Sequence, residues 1–461
     1  MKEKIIQTLR ELRNYALDKS CEVAIFYHEE DSYLMRFANS AISLNTNEHL
    51  IRLFIDAFDG NKKASYTLIT DLSKVEEMKQ GIDTVAEMVV HSQPLNYKPT
   101  IPVFKGDFID EDGFDSELAF ISNEERLKYF NDASKGLETA DLKLSGIFSN
   151  GSNTLAAINT KSDHVLYFRT SDAQATVVLA HSTLKWEINA EQSAQKKTEL
   201  NSSKINRELA FLLDRYLNDE PQQLPLGEYD IVFGPSAIAD MLTMMGFIGY
   251  NGGLMKRGFS FMTEEKLGKK VLSENFTLVD DPSRLETFPF KQDFSGIERK
   301  EFPLFENGVF KKFTWSQDDA DEFGEEPTGH EVMHRSIVLK PGEKDIDTLE
   351  DLVNMPREKD ILYVPFLHYM NVVNPSKGIL TATSRFGALF LKKDGSVVVP
   401  YNVRLTQSLL DLFGDKIAWM TKKTTAYNTS QSYGVRNPTA IIVPQFIKVD
   451  GLEISHSNTS Y

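Results

Sequence analysis

His330-Glu331-Val332-Met333-His334 is the stretch of this chain whose residue types and spacing most directly suggest chemistry. On a helix, histidines four positions apart share one face and can bind zinc, and the glutamate between them can activate a zinc-bound water. The flanks read otherwise. Pro327, Thr328 and Gly329 are loop formers, Arg335 follows directly, and 336–342 reads as a strand and a turn. Along a strand the two histidines would stand about 13 Å apart at ~3.3 Å per residue, too far to share one ion. His330 and His334 are therefore expected to be loop or cleft residues. Zinc binding by His330 and His334, with Glu331 as the catalytic base, is the alternative.

The other candidates are weaker. His368 is a lone imidazole, more often a satisfied polar group than a catalyst. Asp280-Asp281-Pro282 has the donors for a cation but reads first as a turn, because Asp bonds its own backbone and Pro fixes φ. Asp318, Asp319, Asp321, Glu322, Glu325 and Glu326 form an acidic run that reads as a solvated loop. A calcium site or a patch for a basic partner is the sharper reading, but EF-hand spacing is absent. There is no G-x-x-x-x-G-K-[ST] phosphate loop and no G-x-S-x-G elbow.

Composition narrows the field. The 461 residues carry 51 Lys+Arg against 67 Asp+Glu, a net charge of −16. This argues against nucleic acid, whose binders draw affinity from clustered cations. With 41% hydrophobic residues the chain is not disordered. Cys21, the single cysteine, excludes a disulfide framework and a cysteine-rich zinc site. The first nineteen residues are charged throughout, unlike a signal peptide. No run of about 18 apolar residues suggests a membrane span. The expectation is a soluble cytoplasmic protein that contacts neither nucleic acid nor membrane.

The elements that must position these residues come next. Ile5, Leu9, Leu12 and Ala16 share a helical face, as do Val75, Met78, Ile82, Val85 and Val89, and Ile205, Leu209, Leu212 and Tyr216. Residues 21–27, 33–44 and 50–58 read as strands, with a turn at Asp59-Gly60-Asn61. Ser122 and Glu125 have capping-box spacing. Asn150-Gly151 suggests a hairpin between alternating runs, and further strands are expected over 164–168 and 176–181. Asn307-Gly308 and Asp394-Gly395 are hairpin turns, and 240–253 reads as an apolar helix ended by Gly252-Gly253. Beyond Pro221–Pro225 short apolar runs separated by turn residues make the chain mostly β. The division expected is 1–220, an α/β region with a sub-boundary at 92–104, and 221–461, a β-rich domain.

An ordered set of segments then carries a family resemblance. It comprises Leu224-Pro225-Leu226-Gly227-Glu228-Tyr229, Val232-Phe233-Gly234-Pro235, Arg257-Gly258-Phe259-Ser260-Phe261 and Lys266-Leu267-Gly268. It continues with Val279-Asp280-Asp281-Pro282, Phe305-Glu306-Asn307-Gly308-Val309-Phe310, Thr328-Gly329 and Asn374-Pro375-Ser376-Lys377-Gly378. Together they resemble the TldD/PmbA family, modulators of DNA gyrase and peptide-maturation metalloproteases, over nearly the whole chain. The resemblance implies an α+β fold: an α/β N-terminal region followed by a barrel-like C-terminal domain. It also implies a dimer with a cleft for unfolded peptide, for which His330, His368 and Asn371 are the candidate residues.

One branch of that family, TldD-like, carries HExxxH on a helix and a later Cys as zinc ligands. The PmbA (TldE)-like branch lacks them and pairs with the first. Aligned without gaps, this chain has Thr243, Met244 and Ile248 at those positions, and no late Cys. Met and Ile offer zinc nothing, and three N, S or carboxylate donors are needed. The resemblance therefore implies a PmbA-like subunit without a cofactor, whose partner is a TldD-like chain or a second copy of itself. A self-contained zinc peptidase using His330, Glu331 and His334, and a stand-alone peptide-binding homodimer, are the alternatives. An acidic chain gives no physical reason for a gyrase effect through DNA.

Overall fold

In a computed structural model the chain is described over residues 1–218, 221–330, 335–430 and 434–460. The spacing of Ile5, Leu9, Leu12 and Ala16 produces helix α1 (Lys2–Asp18), and all four side chains are buried. Three antiparallel strands follow, β1 (Glu22–Ala38), β2 (Ala41–Asp59) and β3 (Lys62–Thr70). Residues 21–27 and 33–44 are not separate strands. β1 runs through the polar stretch 28–32, and the chain turns at Asn39-Ser40. Both turn residues are left-handed, with φ of 51° and 62°, as the central pair of a tight hairpin requires.

Helix α2 (Val75–His91) buries Met78, Ile82, Val85 and Val89 beneath β2 and β3. An irregular crossing then leads to β4 (Phe108–Asp110), α3 (Ser116–Ala119) and α4 (Asn123–Ala133). The Ser122–Glu125 capping box forms, at 2.9 and 3.2 Å. The long strands β5 (Leu142–Asn159) and β6 (Ser162–His181), then β7 (Glu187–Ala194) and α5 (Ser202–Asn218), complete this part. The sheet order is β3-β2-β1-β5-β6-β4, with β7 also on β6.

The hairpin expected at Asn150-Gly151 does not exist. β5 passes straight through, Asn150 pairing Ala173 and Gly151 pairing Asp172, and the chain turns after Asn159. Gly151 serves a close approach instead. A Cβ there would collide with the Asp31 carbonyl oxygen and press on the Arg436 guanidinium.

The remaining chain runs β8 (Gly227–Phe233), α6 (Pro235–Ile248), α7 (Gly252–Lys256), β9 (Leu278–Asp280), β10 (Phe302–Glu306) and β11 (Val309–Phe310). It continues with α8 (Gln317–Phe323), β12 (Ile337–Leu339), α9 (Leu349–Asn354), β13 (Ile361–Val364), β14 (Phe366–Asn374), β15 (Ile379–Arg385), β16 (Leu389–Leu391) and β17 (Val397–Val398). It closes with β18 (Val403–Ser408), α10 (Leu409–Leu412), β19 (Ile417–Met420), β20 (Thr424–Asn428), β21 (Ala440–Pro444) and β22 (Ile447–Ser457). Asn307-Gly308 and Asp394-Gly395 make their hairpins. The helix expected over 240–253 is shifted. α6 ends at Gly249, and Gly252-Gly253 open α7, where a Cβ would collide with Trp315 or Asp319.

These strands form two mixed sheets, β11-β10-β9-β12-β21-β20 and β14-β15-β18-β22-β8-β13-β16-β17, with β19 also on β22. α6 lies in a core to which both contribute, Leu278, Leu339 and Val443 from one and Phe233, Leu380 and Ile447 from the other. A helix enclosed in this way is apolar nearly all round. The first sheet and the nine-stranded sheet share a second core, in which Phe148, Trp186 and Leu209 meet Val232, Tyr363 and Phe446. Among the described residues no helix is long and apolar enough to cross a membrane.

A polar bridge also joins the two parts. Arg436 crosses to the first sheet, where its guanidinium meets Asp172 at 2.8 Å and Ser149 at 3.2 Å. Its backbone N–H donates to Glu30. Arg436 and Asp172 are both buried, so removing one leaves the other as an uncompensated charge. Arg436→Ala is expected to cost about 3–5 kcal/mol, and Asp172→Asn in the same chain to restore part of it. Thermal unfolding of the singles and the double reads this coupling, and strictly additive losses would refute it.

Candidate functional site

Of the residues singled out from sequence, His330 meets Asp280, while His368 and Asn371 sit on β14 of the other sheet. His330 is 3% exposed, stacked on Phe302 with ring centres 4.4 Å apart. Its Nδ1 lies 3.2 Å from Asp280 Oδ2. Asp280 also takes Arg299 at 2.7 Å and the Ser336 backbone N–H at 3.0 Å. Burial alone would raise the Asp280 carboxyl, but Arg299 and His330 hold it below its ordinary value. His330 is thus a core residue and lines no cleft among the described residues. Glu331 and His334 lie outside the described residues. Asp281 does what its type suggests, accepting from Ser283 N–H at 3.1 Å and Ser283 Oγ at 2.6 Å.

The acidic run is not a solvated loop. Most of it forms α8, capped by Ser316. Asp319 pairs with Arg257 at 2.7 Å, Asp318 with Lys63 at 2.9 Å, and Asp321 accepts the Thr100 N–H at 2.6 Å. His368 and Asn371 sit on β14, an edge strand of the nine-stranded sheet. Arg385 stands 3.3 Å from His368 and pairs with Glu187 at 2.6 Å. Burial first, then the Arg385 charge, lowers the His368 imidazole below its ordinary value. Asn371 is exposed and donates to the Tyr369 carbonyl at 3.0 Å. On α6, the Thr243 hydroxyl donates to the Ala239 carbonyl at 2.9 Å, Ile248 is buried, and Met244 packs on the core. A spent hydroxyl, a thioether and a methyl group do not fit zinc. Among the described residues no group of three or more His, Cys, Asp or Glu side chains is placed to hold a metal ion.

What the fold does build is a cavity of about 550 Å³ where its two parts meet. β7 and α5 form one wall. The start of α6, the start of α9 and β20 form the other. Ser236, in the first turn of α6, donates to the Tyr427 hydroxyl at 2.9 Å, and Tyr427 in turn bonds Glu191. Asn189 donates to Glu191 Oε1 at 2.8 Å. Asp240 follows Ser236 by one helical turn and is near enough to Glu191 to feel its charge.

Burial is the main influence on both carboxyls. It pushes Glu191 up to about 7 against the hydrogen bonds of Tyr427 and Asn189. It pushes Asp240 up to about 7, with the Glu191 charge adding to the effect. Burial likewise raises Glu208, opposed by Lys204 and Lys423 at the same cavity. Recessed carboxyls raised mainly by burial are often found at functional sites. None of these residues emerges from sequence motifs. Asp240 alone left a signal, as the single charge in the apolar segment that becomes α6. Glu191 and Tyr427 left none.

The comparisons with known proteins agree with this architecture. A family model described as the PmbA/TldA metallopeptidase C-terminal domain matches residues 226–456. Over 140 residues the chain is 31% identical to a metalloprotease of Methanothermobacter thermautotrophicus, covering 28% of this chain and 31% of that one. Over 96 residues it is 32% identical to a metalloprotease of Methanocaldococcus jannaschii, covering 19% and 21%. The chain thus spans less than a third of the length of these curated relatives. The crystal structure of TldE from Thermococcus kodakarensis superposes with a TM-score of 0.78 at 18% identity, covering 98% of this chain and all of that one. A proposed modulator of a DNA gyrase from Thermotoga maritima gives 0.75 at 16% identity, covering 97% and 99%. These likenesses show the fold: α+β, with a barrel-like, β-rich C-terminal domain.

The carboxyl pair makes stability depend on pH in a definite direction. A carboxyl whose pKa rises on folding binds its proton more tightly when folded, so its contribution falls as pH climbs from the ordinary carboxylate value to the raised one. Stability attributable to Glu191 and Asp240 is therefore lost between about pH 4 and 7. Glu191→Gln and Asp240→Asn are expected to melt higher than the parent at pH 8 and to lose that advantage at pH 5. Melting curves of parent and variants that stay parallel across this range would exclude the effect.

Proposed function

The chain belongs to the TldD/PmbA metallopeptidase family, and on that premise we propose that it is a PmbA (TldE)-like subunit without zinc. It pairs in the cytoplasm with a TldD-like metalloprotease chain and holds unfolded peptide in the dimer cleft for proteolysis or maturation. The observation that carries this reading is α6. Where the zinc-bearing branch has its ligands, Thr243 is tied to its own helix and Ile248 is sealed in the core. Beside the same helix an open cavity is nonetheless retained. β14 supports the peptide role. It is a sheet edge carrying His368 and Asn371, and a sheet edge can take an extended chain through main-chain hydrogen bonds whatever its sequence.

Two measurements test this reading. The native protein purified alone is expected to hold zinc near zero per chain by elemental analysis. His330→Ala should leave that value unchanged while lowering the melting temperature, because the ring fills space against Phe302 and Asp280. About one zinc per chain, lost on His330→Ala, would instead establish a self-contained peptidase at His330, Glu331 and His334. Peptidase activity is expected only when a TldD-like chain bearing HExxxH is added. Binding of peptide with no activity in any mixture would leave a stand-alone peptide-binding homodimer.

A further inference from the structure

We infer that the cavity between the two parts of the chain is a strand slot, in which a short extended peptide segment pairs main chain to main chain with the free edge of β7. The inference rests on the peptide-binding reading above and gives the peptide a site apart from β14. The cavity is bordered by the consecutive residues 189–193 of β7 and 425–428 of β20. Side chains alternate between the two faces of a sheet, so a wall made by a face shows every second residue. An unbroken run marks an edge, where backbone N–H and C=O groups point. The sheet order agrees. Among the described residues β7 pairs only with β6, and β20 only with β21. The two edges are drawn together at one end, where Gln174 pairs with Ser193 and its side chain donates to the Asn428 carbonyl at 3.4 Å. Neither strand contains proline, lysine or a bulge, the devices by which proteins protect an edge that nothing covers.

The lining favours main chain over a ligand of one charge. Lys204, Arg207 and Lys423 share the cavity with Glu191, Glu208 and Glu350, so an ion of either sign meets repulsion as well as attraction. A neutral backbone avoids this, and its recognition by a strand edge is independent of sequence. A second observation stands apart from the edges. Asn428, at the cavity, is only 4% exposed. Its Oδ1 accepts the Ser430 backbone N–H at 2.8 Å, which fixes the orientation of the amide. Its Nδ2 is left without a hydrogen-bond partner. A buried donor without an acceptor costs free energy and calls for an explanation. A carbonyl of a peptide lying along β7 supplies the missing acceptor. Phe211, Phe366 and Phe386 add apolar surface for the side chains that such a strand carries. The volume, about 550 Å³, falls within the roughly 300–1,000 Å³ of pockets that enclose small ligands, so it suits a short segment of peptide.

Pairing with one edge uses the N–H groups of every second peptide residue, and the test reads that phase. A short unstructured peptide carrying a photoreactive diazirine is titrated into the full chain by calorimetry and then cross-linked. Mass spectrometry is expected to place the cross-links within 189–193 or 425–428. Two further peptides of the same sequence are N-methylated, one at odd and one at even positions. One of them is expected to bind about tenfold or more weakly, because it loses several main-chain hydrogen bonds. The other should stay within about twofold of the unmethylated peptide. Asn428→Asp keeps the bond to Ser430 and replaces the donor by an acceptor. It is expected to weaken the unmethylated peptide by about two- to tenfold, and an unchanged affinity refutes the part given to that amide. Equal affinities of the two methylated peptides overturn the strand pairing. Cross-links only outside the slot, on β14 for example, overturn the inference while leaving the peptide reading intact. Failure of the unmethylated peptide to bind overturns both. If Asn428→Asp does not fold, the cross-links and the methylation phase on the unaltered chain decide.

Discussion

The crossing of Arg436 into the first sheet is the constraint from which the rest of the arrangement follows. A guanidinium taken out of water is costly unless charge and hydrogen-bond acceptors meet it. Asp172 on β6 and Ser149 on β5 meet the guanidinium, and Glu30 on β1 takes the backbone N–H of the same residue. The surrounding strands are adapted to receive it. β5 is buried on both faces over most of its length, and Gly151 removes the side chain that would block the guanidinium. The polar run 28–32 of β1 becomes part of a layer in which His28 bonds Asn153 at 2.6 Å and Arg52 meets Glu30 at 3.3 Å. A hydrophobic contact is non-directional, whereas a buried ion pair works in only one register. The bridge therefore sets where the β-rich part sits on the first sheet.

That placement determines the cavity. Its walls come from β7 and α5 on one side and from α6, α9 and β20 on the other, so neither part contains it alone. Tyr363 and Phe446 of the shared core also line it. α6 is held by apolar contacts from two sheets, and its one acidic side chain, Asp240, feels the charge of Glu191. The two acids are recessed enough to lose much of their hydration and close enough to repel. Both effects oppose ionisation, and the hydrogen bonds of Tyr427 and Asn189 to Glu191 offset them only in part.

A second buried polar cluster shows how the same chemistry can be structural. Asp280, Arg299 and His330 pair with one another in the interior. The first histidine of a motif with metallopeptidase spacing is here a partner for a buried carboxylate. The acidic run fares likewise. Its carboxylates anchor α8 to Arg257, Lys63 and the backbone at Thr100. Both cases turn on partners supplied from distant parts of the chain.

Much of the local physics was legible in the sequence. The apolar faces of α1, α2 and α5, the capping box at Ser122, and the turns at Asn307-Gly308 and Asp394-Gly395 depend only on residues a few positions apart. The ordered segments from Leu224 to Gly378 pointed to the family for the same reason. The misread elements were those whose residue types carry two meanings. Asn150-Gly151 has hairpin chemistry, but its glycine is there for a guanidinium that arrives from position 436. The polar stretch 28–32 resembles a loop until the partners that bury it are known. Glu191, Asp240, Tyr427 and Asn428 come from three elements separated by up to 237 positions, since 428 − 191 = 237. No periodicity or short motif links them. Their meeting, and the desolvation that perturbs the two acids, exist only once the two parts have docked, because electrostatics in a cavity depend on distance in space and on exclusion of water, neither of which is written in residue order.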